Sequence, residues 1–381
     1  MAEPVLSPCV LQVLPALASG GVERGTLEIA AALQAVGWRS LVASAGGRLV
    51  AELEALGSQH ITLPLTSKRP LTIWRNAAAL AAVVKREKVG ILHARSRAPA
   101  WAAWLAAERT GAHFVTTYHG TYNENFPLKR RYNAIMARGR PVIAISEFIA
   151  EHVRRTHGVA EENLRVIPRG VDTGLFDPAA VAPERLAALR QAWSLPDHAR
   201  VLLLPARLTR WKGQAVLVEA LARLPGDTVA VLLGDGKPAY QKELLALASK
   251  LGVADRVRLT GVVRDMPAAL LLADVVVHAS TDPEAFGRVV VEGMAMERPV
   301  VAAELGAPPE VITHGQDGWL VVPGFPHVLA DTLGMVLALP AEERTAIGQR
   351  ARAKVEQHFT TRRMQQATLD VYWGLLNPGA G

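Results

Sequence analysis

Two glutamates, Glu284 and Glu292, stand eight positions apart in the stretch Ser280 to Glu310. The first falls in a predicted loop and the second in a predicted helix that begins near Gly287. A helix rises about 1.5 Å per residue, so one or two turns separate the carboxylates and both could reach one elongated ligand across the helix N-terminus. That terminus presents the N–H groups of Phe286, Gly287 and Arg288 with a partial positive charge, which suits an anion or a polyhydroxylated group. Two cations, Arg207 and Lys212, lie five apart between a predicted strand and a predicted helix, where they can neutralise a diphosphate. A sugar nucleotide carries both kinds of group. Each feature also has a plain reading, since paired glutamates recur by chance and an Arg/Lys pair can simply face solvent.

The elements that must position these residues alternate short apolar strands with longer helical patterns, as parallel βαβ units require. With 381 residues, two domains are expected. Half the residues are hydrophobic and a fifth charged, which suits a large-cored folded protein and excludes a disordered one. Strands are predicted at Val10–Leu14, Ser40–Ala43, His60–Leu63, Ile91–His93, His113–Thr117, Val142–Ile145 and Leu164–Ile167 in the first half. The second half opens with strands at Val201–Leu204, Val229–Leu233 and Arg256–Thr260. The apolar run Ala268–His278 reads as the strand before the Glu284 loop, with Asp274 bonded locally. The Pro/Gly-rich stretch Val166–Pro178 marks a boundary.

Two turns of the first half sit where open α/β sheets gather ligands. Ala18 to Arg24 passes from strand to helix through Gly20 and Gly21, which permit close backbone approach to a diphosphate or an acceptor hydroxyl; a glycine pair is equally an ordinary turn. His119, beside Gly120, ends the strand at His113–Thr117, although a lone His is more often structural. Ser146 reads as a helix N-cap.

Charge is uneven. Residues before 179 hold 21 Lys+Arg against 14 Asp+Glu, and those after hold 21 of each. The clusters Lys68-Arg69, Arg95 and Arg97, Lys129-Arg130-Arg131, Arg138 and Arg140, and Arg154-Arg155 therefore point to an anionic partner, a membrane surface or a phosphorylated acceptor. Nucleic acid is not expected, because no nucleic-acid motif or aromatic stacking platform accompanies the charge. Cys9 is the only cysteine, so neither an internal disulfide nor a thiolate metal cluster can form. Val5 to Ala18 reads as a first buried strand rather than a signal peptide, since no basic region precedes it.

The text E-A-F-G after a strand, followed by M-A-M-E-R-P-V-V-A and G-A-P-P-E-V-I, resembles the E-x7-E signature of retaining glycosyltransferases of family 4. Further resemblances are S-G-G-V-E at the first turn, His119-Gly120, A-I-S-E-F at Ala144 to Phe148, and V-I-P-R-G-V-D, in which Arg169 replaces the family's usual Asn. Arg207 and Lys212 match G-R-x-x-x-x-K-G with Ala206 for the first Gly. The likeness runs from Ser19 to the C-terminal helix. It implies the GT-B fold: two Rossmann-like parallel-sheet domains facing a cleft, residues 1–178 for the acceptor and 179–358 for the nucleotide-sugar, with a helix in 359–381 crossing back to the first domain.

By the same resemblance, Arg207 and Lys212 contact the donor pyrophosphate, Gly234 passes near its phosphates, and backbone at Val263 and Arg264 holds the base. Glu284 grips sugar hydroxyls, Glu292 holds the ribose, and His119 faces the sugar near C6. The implied reaction moves a hexose-type sugar, with retention, from a nucleotide-diphospho-sugar to a glycan or lipid-linked acceptor in lipopolysaccharide or cell-surface polysaccharide synthesis. No metal or other cofactor is expected. The expected location is the cytoplasm, peripheral on the inner face of the plasma membrane. A sugar-nucleotide epimerase of the same fold and a non-catalytic sugar-nucleotide-binding module are the alternatives.

Overall fold

The computed structural model describes residues 7–18 and 20–378, so Ser19 and the first residues of the Val5 to Ala18 reading lie outside the described residues. The chain forms two compact units, one running to Arg169 and resuming at Arg362, the other Gly170–Thr361.

The first unit holds a seven-stranded sheet: β1 (Cys9–Val13), β2 (Arg39–Ser44), β3 (Gln59–Thr62), β4 (Ile91–Ala94), β5 (His113–Tyr118), β6 (Val142–Ala144) and β7 (Leu164–Val166), in the order β3-β2-β1-β4-β5-β6-β7. Every neighbouring pair is parallel. The central strands β1 and β4 are buried along their length, which is why they read as continuous apolar runs rather than alternating ones. The final helix, Thr361–Leu376, belongs to this unit: Met364 and Tyr372 pack with Val10, Ile29, Leu33, Ile91, Val115 and Ile143. Its Tyr372 is fully buried, and the phenol reaches His93 Nδ1.

The second unit holds six parallel strands: β8 (Arg200–Pro205), β9 (Thr228–Leu233), β10 (Val257–Gly261), β11 (Val275–His278), β12 (Val300–Ala303) and β13 (Trp319–Val321), in the order β10-β9-β8-β11-β12-β13. The sequence reading has no strand at β12 or β13. At Ala268–His278 it is corrected, because a helix, Met266–Leu272, precedes a shorter strand. Asp265 caps that helix by accepting from Ala268 N at 3.2 Å, and Pro267 sits in its first turn. Asp274 then separates helix from strand. Its carboxylate does not bond locally but accepts the N–H of Val201, at the start of the neighbouring strand, at 2.7 Å.

In both sheets the order reverses beside the first strand. From β8 the chain winds outward through β9 to β10, then returns to β11 and winds the other way; β1 and β4 stand in the same relation. Loops leaving the carboxyl ends of β8 and β11, and of β1 and β4, therefore diverge, and each pair opens a crevice where α/β sheets take ligands.

Candidate active site

The crevice of the second unit is built by the loops after β8 and β11. After β8 the chain runs through Arg207 to a 3-10 turn, Arg210–Lys212, and into the helix Gln214–Leu221. Gly213 joins the last two at φ 74°, and a Cβ there would meet the carbonyl oxygen of Ala279 at 1.8 Å. Only glycine lets the two loops lie this close, and their closeness carries Lys212 to Glu284. The Glu284 segment is held in turn by Gly306, whose added Cβ would meet Glu284 backbone at 2.2 Å, and by Ala307 N donating to Glu284 O at 2.9 Å.

Lys212 Nζ forms an ion pair with Glu284 Oε2, and both side chains are largely buried. His278 Nε2, at the carboxyl end of β11, lies 3.3 Å from the same oxygen and 3.2 Å from Ser280 Oγ. Burial alone would push the Glu284 carboxyl up, but the His278 hydrogen bond and the Lys212 charge outweigh it and hold the carboxyl down at about 2. Glu284 is thus a fixed anion, unfit to act as a general acid near neutrality. Arg207 is exposed. Lys212 also lies over the Trp211 ring, 4.2 Å from its centroid, while Arg210 pairs with Glu243.

Gly287 caps the helix Arg288–Ala295 in a left-handed conformation, and Arg288 pairs with Glu292 one turn on, Nε to Oε1 3.4 Å. Phe286 is buried against Phe359, so its side chain serves packing and only its backbone is available to a ligand. Gly234 follows β9 at φ 141°, where a Cβ would strike Ala206 O at 2.1 Å. Small residues at both 206 and 234 keep these turns in contact. Val263 and Arg264 follow β10, with Arg264 exposed.

Gly20, Gly21 and His119 belong to the first unit. Gly20 caps the helix Gly21–Ala35 at φ 133°. His119 is half-buried, and its Nδ1 accepts from Arg169 Nη2 at 2.7 Å, leaving Nε2 as the protonated nitrogen, out of solvent and without a hydrogen-bond partner. Burial, then the charges of Arg169 and Arg95, push His119 well below the usual imidazole range, so it is neutral. Arg169 is only 5% exposed, and a Cβ on Gly25 would lie 2.2 Å from its Nη1.

His278, Arg95 and Gln12 are polar residues of the two crevices that the sequence reading did not place there. A histidine ending a strand six residues before Glu284 was a usable signal, and so was an arginine directly after β4. Gln12, inside an apolar strand, gave none.

A model described as Glycosyltransferase Family 4 matches residues 19–175, and one described as Glycosyl transferases group 1 matches residues 187–354. The D-inositol 3-phosphate glycosyltransferase of Xylanimonas cellulosilytica is 34% identical over 296 residues, 71% of this chain and 68% of that protein. Among solved structures, a glycosyltransferase from Rickettsia africae superposes with a TM-score of 0.90 at 36% identity, covering 97% of this chain and 99% of that one. Anabaena Alr3699/HepE, solved with UDP and glucose, superposes with a TM-score of 0.85 at 27% identity over 96% and 100% of the two chains. Parallel Rossmann-like sheets, a Lys–Glu–His cluster at the second switch point and these matches along both units make the chain a member of glycosyltransferase family 4, with the GT-B fold.

Proposed function

We propose that the chain transfers a hexose, with retention, from a nucleotide-diphospho-sugar to a glycan or lipid-linked acceptor without a metal. The observation that carries this is the Lys212–Glu284–His278 cluster at the switch-point crevice, beside exposed Arg207. As the glycosidic bond breaks, electrons pass to the diphosphate while the sugar becomes oxocarbenium-like. Arg207 and Lys212 absorb the charge on the leaving group, so a divalent ion is not needed for that task. Glu284, fixed as an anion, accepts from sugar hydroxyls. The departing phosphate oxygen takes the proton of the acceptor hydroxyl as the new bond forms on the face just vacated. Glu292 holds the ribose, the turns at Gly234, Val263 and Arg264 the phosphates and base, Gly20 and Gly21 approach the donor through backbone, and His119 donates to the sugar through Nε2–H.

HepE was solved with UDP-glucose, which makes it the first donor to try. The acceptor is met by the first unit, whose sequence holds the excess of positive charge, and an anionic membrane surface on the cytoplasmic side fits the same charge. Phe126 (54% exposed) and Leu128 (71% exposed) flank Lys129, Arg130 and Arg131, a pairing of apolar and basic side chains suited to lipid headgroups. Among the described residues no helix is long and apolar enough to cross a membrane. The acceptor pathway we favour is lipopolysaccharide or cell-surface polysaccharide assembly. Release of UDP from UDP-glucose, measured with and without glycan acceptors, tests the reaction; binding without release under every donor and acceptor pairing would favour a non-catalytic module.

A further inference from the structure

The Glu284 carboxylate has two partners within the second unit, and they differ in how far each can move. Lys212 Nζ reaches Oε2 from a flexible four-carbon stem on the loop after β8. His278 Nε2 lies 3.3 Å from the same oxygen. His278 ends β11, where it pairs in register with Ala302 of β12, and it is only 3% exposed. A short side chain on a paired strand, closed in on all sides, holds its imidazole where the strand puts it. An ionised carboxylate offers lone pairs only, so Nε2 carries a proton and donates it. Buried Ser280 Oγ lies 3.2 Å from that nitrogen. Nδ1 is out of solvent and makes no hydrogen bond, so all the polar contact of the ring passes through Nε2.

The lysine has a second claim on it. In the reaction proposed above its ammonium meets the diphosphate, and an ammonium that turns to the diphosphate leaves Oε2. Burial raises the Glu284 carboxyl, and the His278 hydrogen bond is the largest single effect opposing it, ahead of the Lys212 charge. Without either partner the buried carboxylate would be free to turn or to take up a proton. His278 stays when the lysine goes. Its contact is at the long end for N–H···O while Oε2 is shared with the ammonium, and it has room to tighten once Oε2 is released. Both contacts fall on Oε2, which leaves Oε1 to a sugar hydroxyl.

We propose that His278 is a positioning residue of the donor site: it holds Glu284 through Oε2 after the diphosphate has drawn Lys212 away, so that the carboxylate still meets the sugar as an anion. This rests on the reading of the chain as a sugar transferase and deepens it by dividing the cluster, with Lys212 serving the diphosphate and His278 serving the sugar. UDP alone then binds without help from His278, whereas a UDP-sugar depends on it.

Calorimetric titration of the full chain with UDP and with UDP-glucose separates the two roles. His278→Leu is expected to bind UDP within about threefold of wild type while its affinity for UDP-glucose relative to UDP falls at least about tenfold, the effect of one hydrogen bond to a charged group. His278→Gln, whose amide nitrogen can stand where Nε2 stands, is expected to restore most of that ratio. An H278L variant with the wild-type ratio overturns the proposal, and so does an H278Q variant that falls as far as H278L, since the shape of the ring alone would then matter. A wild-type protein that binds neither ligand counts against the donor reading instead, and the ligand-free protein decides. In a Lys212→Ala background, which reproduces the departed lysine, 13C titration of the Glu284 carboxyl is expected to move up when His278→Leu is added; no movement overturns the proposal. Should H278L fold poorly, the 15N histidine spectrum is compared between wild type and K212A: the His278 Nε2–H signal moves as Oε2 is released to it, or the proposal fails.

Discussion

At the scale of single residues, Lys212 and Glu284 define each other. Removing the lysine strands a largely buried carboxylate and, on the mechanism proposed above, takes away a donor to the developing leaving-group charge. Lys212→Ala and Arg207→Ala are each expected to lower kcat by about a hundredfold or more, the usual cost of one preplaced donor to a developing oxyanion. Turnover within threefold of wild type would assign the role elsewhere. The depressed Glu284 carboxyl also predicts a stability signature. An ordinary Glu titrates near 4.3, so the stabilisation from Glu284 is full above that value and is lost as pH falls toward its folded value of about 2. The contribution at neutral pH is on the order of 3 kcal/mol. Denaturant unfolding of wild type and Glu284→Gln at pH 7 and pH 3 is expected to show a gap at pH 7 that narrows at pH 3.

Elements place these residues by backbone contact, and glycine positions decide it. Gly213→Ala drives a Cβ into Ala279 O and is expected to cost more than about 2 kcal/mol while displacing Lys212, read as joint loss of stability and activity. In the first unit, Gly25→Ala collides with the Arg169 guanidinium alone. The same change in an Arg169→Asn background is expected to be nearly neutral, a coupling measurable by a double-mutant cycle. This scale also shows what the sequence could and could not reveal. The strands of the first sheet follow from short apolar runs, and the structure places them within a residue of where they were read; Ser146 caps the helix Glu147–His157, as its residue type suggests. Ala268–His278 misled because a buried helix turn and a buried strand look alike as apolar text, and only Asp265, Pro267 and Asp274 divide them. The loops bearing Arg207, Lys212 and Glu284 were legible from spacing and from the family's pattern. The Arg169–Gly25 and Arg95–Gln12 contacts were not, because residues 144 and 83 positions apart announce no contact in one sequence.

At the scale of the whole molecule, the uneven charge implies a salt-sensitive partner for the first unit. Binding to vesicles containing anionic lipid is expected to weaken steeply as ionic strength rises, and to fall further when Phe126 and Leu128 are both replaced by Ser. Vesicle binding indifferent to both changes would remove the membrane from the account. Donor recognition is the claim on which the rest depends, and thermal-shift titration of UDP-, GDP- and ADP-sugars, with wild type beside Arg207→Ala and Lys212→Ala, measures it directly. One nucleotide-sugar is expected to raise the wild-type Tm and to lose that effect in both variants. A shift of equal size in all three proteins, or none from any donor, would contradict it.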